Sequence, residues 1–307
     1  MKILICDPIS SGGLDQLKKL PDLEVDIKAD MTPQDLKKVV PNYDIMVVRS
    51  KTKVTKEIIQ AADNLKLIIR GGVGIDNIDV NAAKERNIEV ANTPEASSIS
   101  VAELALGLMF ALARNITQAC QSLKNKKWEK KKLAGVELND KTLGLIGLGR
   151  IGLALATRAQ GLNMHTICYD PYIKKEYASK HNVAMVSLDE LLQKSDFISI
   201  HTPYTKETEN LIDEPQFNKM KKGAFIINTA RGGIINEEAL YQAIQQGTVA
   251  GAAIDAFKVE PPFESPLLSL DQVLPIPHLG AATKEAQSKV SLLVAQKIVN
   301  FLNNLKD

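Results

Sequence analysis

Along almost the whole chain, short apolar runs alternate with segments whose apolar residues recur at helical spacing, and this alternation constrains the fold most. The strand candidates of the first part are Ile3–Cys6, Val25–Ile27, Ile45–Val48, Leu67–Ile69 and Ile88–Ala91. Those of the second are Leu143–Ile146, Thr166–Tyr169, Phe197–Ile200, Phe225–Asn228, Val249–Ile254 and Val273–Ile276. Because nearly every position in them is apolar, the strands must be covered on both faces, as in a parallel sheet. Connecting segments such as "TKEIIQAAD" and "NEEALYQAIQQG" read as the covering helices. Ser187 with Glu190 fits a capping box, and Gly161 and Gly247 fall where helix C-caps belong. The fold class expected is α/β, with two doubly wound parallel-sheet domains, since 307 residues exceed the usual single core.

The longest helical pattern, Ser98–Leu123, separates the two sets of strands and is apolar enough to be buried, even between subunits. From Lys284 onward, "KEAQSKVSLLVAQKIVNFLNNL" is a second long amphipathic helix without a strand of its own, expected to pack back on the first domain.

Behind one strand candidate, "KTLGLIGLGRIG" places Gly147, Gly149 and Gly152 at G-x-G-x-x-G spacing, and a helical pattern follows. In that setting the first glycine turns the chain, the second admits a pyrophosphate to the backbone, and the third lets helix and strand pack closely. The helix start then offers free N–H groups to the phosphates. The next strand, "HTICYD", closes with Asp170 at about the 20-residue offset of an acid that binds the adenosine ribose. A carboxylate there also disfavours NADP, by about 4 kcal/mol per unit charge at ~4 Å and an effective dielectric of ~20. The motif therefore reads as an NAD site.

Other classes find little support. A net charge of +2 without a basic–aromatic stripe gives no case for nucleic acid. No apolar run is long enough for a membrane span, so neither membrane nor leader is expected. Cys6, Cys120 and Cys168 are widely spaced in apolar runs, which reads as buried, reduced, cytoplasmic thiols, and no ligand spacing suggests a metal. The run "KNKKWEKKK", Lys124–Lys132, reads as a solvated helix end, although Trp128 within it hints at contact with another chain.

An NAD-linked alcohol–carbonyl couple needs a proton carrier, by default a histidine. His165 begins a strand and His181 lies among lysines, so both read as structural. His201 and His278 each follow an apolar run and should emerge at the carboxyl edge of the sheet, and position alone does not choose between them. The small residues of "PHLGAAT" favour His278. Arg231 in "NTARGG" could grip a carboxylate through its planar fork or sit in a surface salt bridge, and Glu260, pinned before two prolines, suits an orienting acid but taken alone reads as a solvated loop glutamate. "RGGVGID", Arg70–Asp76, could present an anion nest.

Taken together, "VRSKTKVT", "GGVGIDNID", "NTPEASSISVAELALGLMFALARNI", "KWEKKKLAGVELNDKTLGLIGLGRIG", "YDPY", "HTP", "NTARGG", "GAAIDAF", "EPP" and "PHLGAATKEAQ" make the chain resemble the D-isomer-specific 2-hydroxyacid dehydrogenases over nearly its whole length. The resemblance implies a flavodoxin-like substrate domain at 1–94 and 280–307 and a Rossmann domain at 95–279. It implies catalytic roles for Arg231, Glu260 and His278, and NAD contacts from Val73, Arg150, Ile151, Asp170, Thr202, Thr229, Ala230, Arg231, Asp255, His278, Leu279, Gly280 and Ala281. A homodimer formed through the nucleotide domains follows from it, with Trp128 as an arm residue reaching the partner.

The activity so implied is NAD-dependent oxidation of a D-2-hydroxy acid, with 3-phosphoglycerate the leading substrate. His278 would take the hydroxyl proton, Glu260 would orient the imidazole and favour its protonated form, and Arg231 with the amides of Gly72, Val73 and Gly74 would hold the carboxylate. Arg49, Ser50, Arg70 and lysines of the 124–132 run are candidates for the phosphate. Rival readings are a glyoxylate or hydroxypyruvate reductase and a non-catalytic dinucleotide-sensing binding protein. Many relatives continue into a C-terminal serine-sensing domain, and feedback through such a domain is not expected here.

Overall fold

The computed structural model describes residues 1–305, and the chain divides into two compact units, Met1–Ser97 with the segment from Ala281 onward, and Ser98–Gly280. The first unit holds a five-stranded sheet of β1 (Lys2–Ile5), β2 (Glu24–Ile27), β3 (Ile45–Val48), β4 (Leu67–Arg70) and β5 (Glu89–Asn92), ordered β2-β1-β3-β4-β5. Every pairing is parallel, with Ile3 beside Ile45 and Met46 beside Ile68. Alternation of side chains then builds a core on each face. Leu4, Met46, Val48 and Ile68 join one layer, while Ile3, Ile5, Ile45, Val47, Leu67 and Ile69 join the other. That second layer is closed by Val290, Val294, Ala295 and Ile298 of the helix Lys284–Asn304, so the C-terminal helix completes a core begun at the N-terminus. The strand order is flavodoxin-like, with its switch point between β1 and β3.

The second unit holds a seven-stranded parallel sheet of β6 (Thr142–Ile146), β7 (His165–Tyr169), β8 (Ala184–Met185), β9 (Phe197–Ile200), β10 (Ala224–Asn228), β11 (Val249–Ile254) and β12 (Val273–Pro275). Its order, β12-β11-β10-β9-β6-β7-β8, is that of a Rossmann sheet with one further strand. The switch point lies between β6 and β9, so the carboxyl ends of these two strands frame the place where a dinucleotide is expected.

Three features depart from the sequence reading. The helix expected over Ser98–Leu123 is two helices, Ser98–Ala113 and Ile116–Lys124, bent by 62°. Asn115 sits between them at φ 51°, a left-handed conformation that asparagine tolerates better than most residues, and its side chain donates to the Ala134 carbonyl at 3.3 Å. Cys120 lies on the exposed face of the second helix rather than in a core, whereas Cys6 and Cys168 are buried, which pushes their thiols up to about 12 and about 11. The two-residue β8 is missing from the strand candidates, although it lies within the short apolar run Val183–Val186. Among the described residues no single helix is long and apolar enough to cross a bilayer.

Candidate active site

At the β6–β9 switch point each glycine of the loop has its own steric reason. Gly147 adopts φ +94°, and a Cβ there would lie 2.9 Å from the His201 carbonyl oxygen that follows β9. Gly152, in the first turn of the helix Arg150–Gln160, would put its Cβ 2.3 Å from the Gly147 carbonyl oxygen. Gly149 caps that helix and has nothing within 4 Å of its Cβ position, so its backbone is open to approach. Arg150 and Ile151 begin the helix, whose first N–H groups lack partners within it.

Asp170, just past β7, braces this loop: one carboxylate oxygen accepts from the Leu148 amide at 2.9 Å and the other from the Tyr172 amide at 2.9 Å. Each oxygen keeps a second lone pair for a ribose hydroxyl. Two buried hydroxyl oxygens at the same edge, of Thr202 after β9 and Thr229 after β10, have no hydrogen-bond partner. A buried polar atom left alone is costly, so partners from a bound molecule fit here. An open glycine backbone, a helix start, a braced carboxylate and two orphaned hydroxyls together suit a dinucleotide.

His201 belongs to the loop's support rather than to proton transfer. Its Nε2 meets the Ser199 hydroxyl at 2.9 Å, its Nδ1 is buried without a partner, and burial pushes its pKa down to about 3. The other edge histidine is different. His278 follows β12 at φ 52°, and its Nδ1 lies 3.0 and 3.1 Å from the two oxygens of Glu260. Glu260 is itself held by the Phe257 amide, which donates to it at 3.2 Å. A carboxylate on Nδ1 keeps the proton there and leaves Nε2 as the nitrogen that gives or takes one. Both side chains remain partly open, at 46% and 42% exposure, so the pair is accessible from solvent.

A left-handed backbone at histidine costs about 1–2 kcal/mol and persists only where its surroundings enforce it. Asp255, at the end of β11 and 1% exposed, supplies the restraint. Its carboxylate accepts from the amides of Leu279 and Gly280, the latter at 2.9 Å, and the Gly280 carbonyl accepts from the Ser100 hydroxyl at 2.7 Å. Burial raises the Asp255 pKa, and the two amide bonds oppose that rise.

Arg231 emerges after β10 on the same edge. Asn228, 2% exposed, ties its turn by accepting from the Ala230 amide at 3.1 Å and donating to the Arg231 carbonyl at 2.9 Å. Gly232 then packs so closely that a Cβ would lie 2.0 Å from the Phe257 carbonyl. The loop bearing Arg231 is thereby pressed against the loop that fixes Glu260.

Of the remaining candidates, the lysines of the 124–132 run lie exposed in the second unit, at and beyond the end of the helix Ile116–Lys124, and the others lie in the first. Arg49 follows β3, Ser50 is exposed beside it, and Arg70 ends β4 with its guanidinium lying across Gly72. The Gly72 amide, expected to join a nest at Gly72–Gly74, instead donates to the Arg70 carbonyl at 2.9 Å, which leaves the amides of Val73 and Gly74 as the candidate donors. The Val73 carbonyl is held by the Asn92 side chain, and the Ala281 carbonyl by Gln287. Asp7, Asn77, Asn228 and Gln287, which arrange these loops, are not among the site residues read from the sequence; an acid or amide at a strand end hints at Asp7 and Asn228 alone.

Residues 106–280 match the family described as D-isomer specific 2-hydroxyacid dehydrogenase, NAD binding domain. The chain is 50% identical over 99% of its length to D-3-phosphoglycerate dehydrogenase of Archaeoglobus fulgidus, but spans only 58% of that relative. It is 49% identical to hydroxypyruvate reductase of Thermotoga maritima, with 98% of each covered. In three dimensions it resembles a crystal structure of D-lactate dehydrogenase from Aquifex aeolicus complexed with NAD and lactic acid, at TM-score 0.87 and 28% identity, covering 99% of this chain and 96% of that one. The chain belongs to the D-isomer-specific 2-hydroxyacid dehydrogenase family. Its second unit is that family's NAD-binding domain.

Proposed function

We propose that the chain oxidises D-3-phosphoglycerate to 3-phosphohydroxypyruvate. The observation that carries this reading is the His278–Glu260 pair at the end of β12, on the same sheet edge as the open glycine loop. NAD, when bound, accepts the hydrogen of the substrate's C2 together with its electron pair. Nε2 of His278 takes the proton of the C2 hydroxyl, and Glu260 steadies the positive charge that the imidazole then carries. Arg231 is assigned the substrate carboxylate, and the amides of Val73 and Gly74 are further candidates for that anion. Arg49 and Arg70 are assigned the 3-phosphate; Ser50 and the lysines of the 124–132 run are further candidates for it. Asp170 would bind the adenosine ribose, while Thr202, Thr229 and Asp255 line the coenzyme's path with Ala230 and the Leu279–Ala281 segment.

A second reading, reduction of hydroxypyruvate, is favoured by the full-length match to the Thermotoga relative. A homodimer is supported by apolar side chains left exposed on the second unit, among them Ile116 at 46%, Leu123 at 60% and Trp128 at 82%. The deciding experiment measures kcat/KM for NAD reduction with D-3-phosphoglycerate, D-glycerate, D-lactate and 2-hydroxyglutarate. The proposal requires the phosphorylated substrate to lead clearly, and it fails if D-glycerate is used equally well.

A further inference from the structure

Arg49 is held at three points. Its amide donates to Asp7 at 2.6 Å, its carbonyl accepts from Asn77 at 2.7 Å, and Nη1 of its guanidinium donates to Oε1 of Gln287. The first two bonds fix the backbone just past β3; the third fixes the charged end.

The charge on that end is unusually free. Asp7 is the acid whose charge acts on it, yet the Asp7 carboxylate is occupied by the Arg49 amide, the Thr52 amide at 3.2 Å and the Thr52 hydroxyl at 2.9 Å. Among the described residues the Arg49 guanidinium has no carboxylate in ion-pair range, and burial outweighs the pull of Asp7 on its pKa, which is lowered. A half-buried guanidinium bonded to a neutral amide retains its full attraction for an anion.

Gln287 is in turn fixed. It lies in the first turn of the helix Lys284–Asn304, behind the cap that Thr283 makes on the Ala286 amide at 3.2 Å. Its Nε2 donates to the Ala281 carbonyl at 2.7 Å. That bond decides the orientation of the amide, because only the NH₂ end can face a carbonyl. The oxygen is therefore turned to Arg49. Glutamate at this position would repel the Ala281 carbonyl with one oxygen and neutralise Arg49 with the other. Glutamine holds the arginine without neutralising it.

We propose that Gln287 is a positioning residue, whose amide oxygen aims the Arg49 guanidinium and leaves its charge to the anionic end of the substrate, so that Gln287 sets the preference for a phosphorylated over an unphosphorylated 2-hydroxy acid. The inference rests on the assignment of Arg49 to the 3-phosphate.

The test is NADH-dependent reduction of 3-phosphohydroxypyruvate and of hydroxypyruvate by wild type, Gln287→Ala, Gln287→Met, Gln287→Glu, Arg49→Ala and Arg49→Ala/Gln287→Ala. For Gln287→Ala and Gln287→Met, KM for the phosphorylated substrate rises about tenfold, kcat stays within about twofold, and the kcat/KM ratio of phosphorylated over unphosphorylated substrate falls about tenfold. Gln287→Glu lowers that ratio further, by about a hundredfold. In the Arg49→Ala background the Gln287 change adds nothing. If Arg49→Ala lowers the ratio and both neutral Gln287 variants leave it unchanged, the positioning role is overturned and the phosphate assignment stands. Should Arg49→Ala itself leave the ratio unchanged, the phosphate assignment falls and the inference with it. Equal losses on both substrates, or loss of the folded state in every Gln287 variant, mark a structural role and overturn the proposal.

Discussion

Alanine substitutions in the glycine loop should separate coenzyme binding from folding, because its three glycines are constrained by different things. In Gly149→Ala the new methyl meets nothing within 4 Å, and the backbone at φ −75°, ψ −161° suits any residue. Alanine is a poorer helix cap than glycine by a few tenths to about 1 kcal/mol, but restricting the unfolded chain returns about 0.4–1 kcal/mol. Stability should stay within about 0.5 kcal/mol of wild type. The methyl nevertheless occupies the side by which a pyrophosphate reaches the backbone, so the Kd for NAD should rise about tenfold or more. Gly152→Ala does the opposite first: a Cβ 2.3 Å from the Gly147 carbonyl oxygen forces loop and helix apart by nearly an ångström, at about 1–3 kcal/mol of overpacking. In Gly147→Ala a positive φ of 94° adds about 1–2 kcal/mol to a 2.9 Å contact with the His201 carbonyl. Urea unfolding of the free protein and fluorescence titration with NADH measure the two quantities separately. A Gly149→Ala protein that binds NADH like wild type would refute the assignment of that open side to the coenzyme.

Other consequences can be checked as directly. Asp255→Ala removes the acceptor of two amides, one of them buried, and should destabilise the protein by about 2–3 kcal/mol in urea unfolding while lowering kcat more than it raises KM; unchanged stability would show that His278 needs no such clamp. Glu260→Gln keeps an oxygen that can accept from Nδ1 but removes the charge, and kcat should fall about 10²-fold with little change in NADH binding; a change in NADH affinity of similar size would argue against the role. His201 is neutral in the folded protein down to about pH 3, whereas the unfolded chain takes up its proton near 6.5. The unfolded state therefore binds more protons between these values, and stability from this group is complete above 6.5 and lost as pH falls. By about pH 5 the loss is about 2 kcal/mol, which His201→Gln should abolish; parallel stability–pH curves for the two proteins would contradict this.

The parallel sheets were legible because central strands are apolar on both faces, so Ile45–Val48 and Phe197–Ile200 needed only composition and length. Strand β8 was not, since only Ala184–Met185 of the short run Val183–Val186 pairs, at the sheet edge, and the run is hard to tell from part of a connecting segment. The break at Asn115 hid inside a continuous apolar pattern, where one left-handed residue changes direction without changing periodicity. Of the candidate site, the residues assigned direct chemistry under the proposal stand out by type and by position after strands. Their supports were harder to see. The clamp of Asp255 on the His278 loop depends on a conformation no spacing encodes, and Gln287 looks in sequence like any polar helix residue. Asp170 was read for the ribose alone, although it also ties the glycine loop to β7.

The most direct test of the account's centre replaces the imidazole while watching both binding and chemistry. NADH titration and D-3-phosphoglycerate-dependent NAD reduction should be measured on the same samples of wild type and His278→Gln. The account predicts NADH affinity within about fivefold of wild type and a fall in kcat of about 10³-fold or more. A His278→Gln enzyme that keeps a tenth or more of wild-type kcat would contradict it.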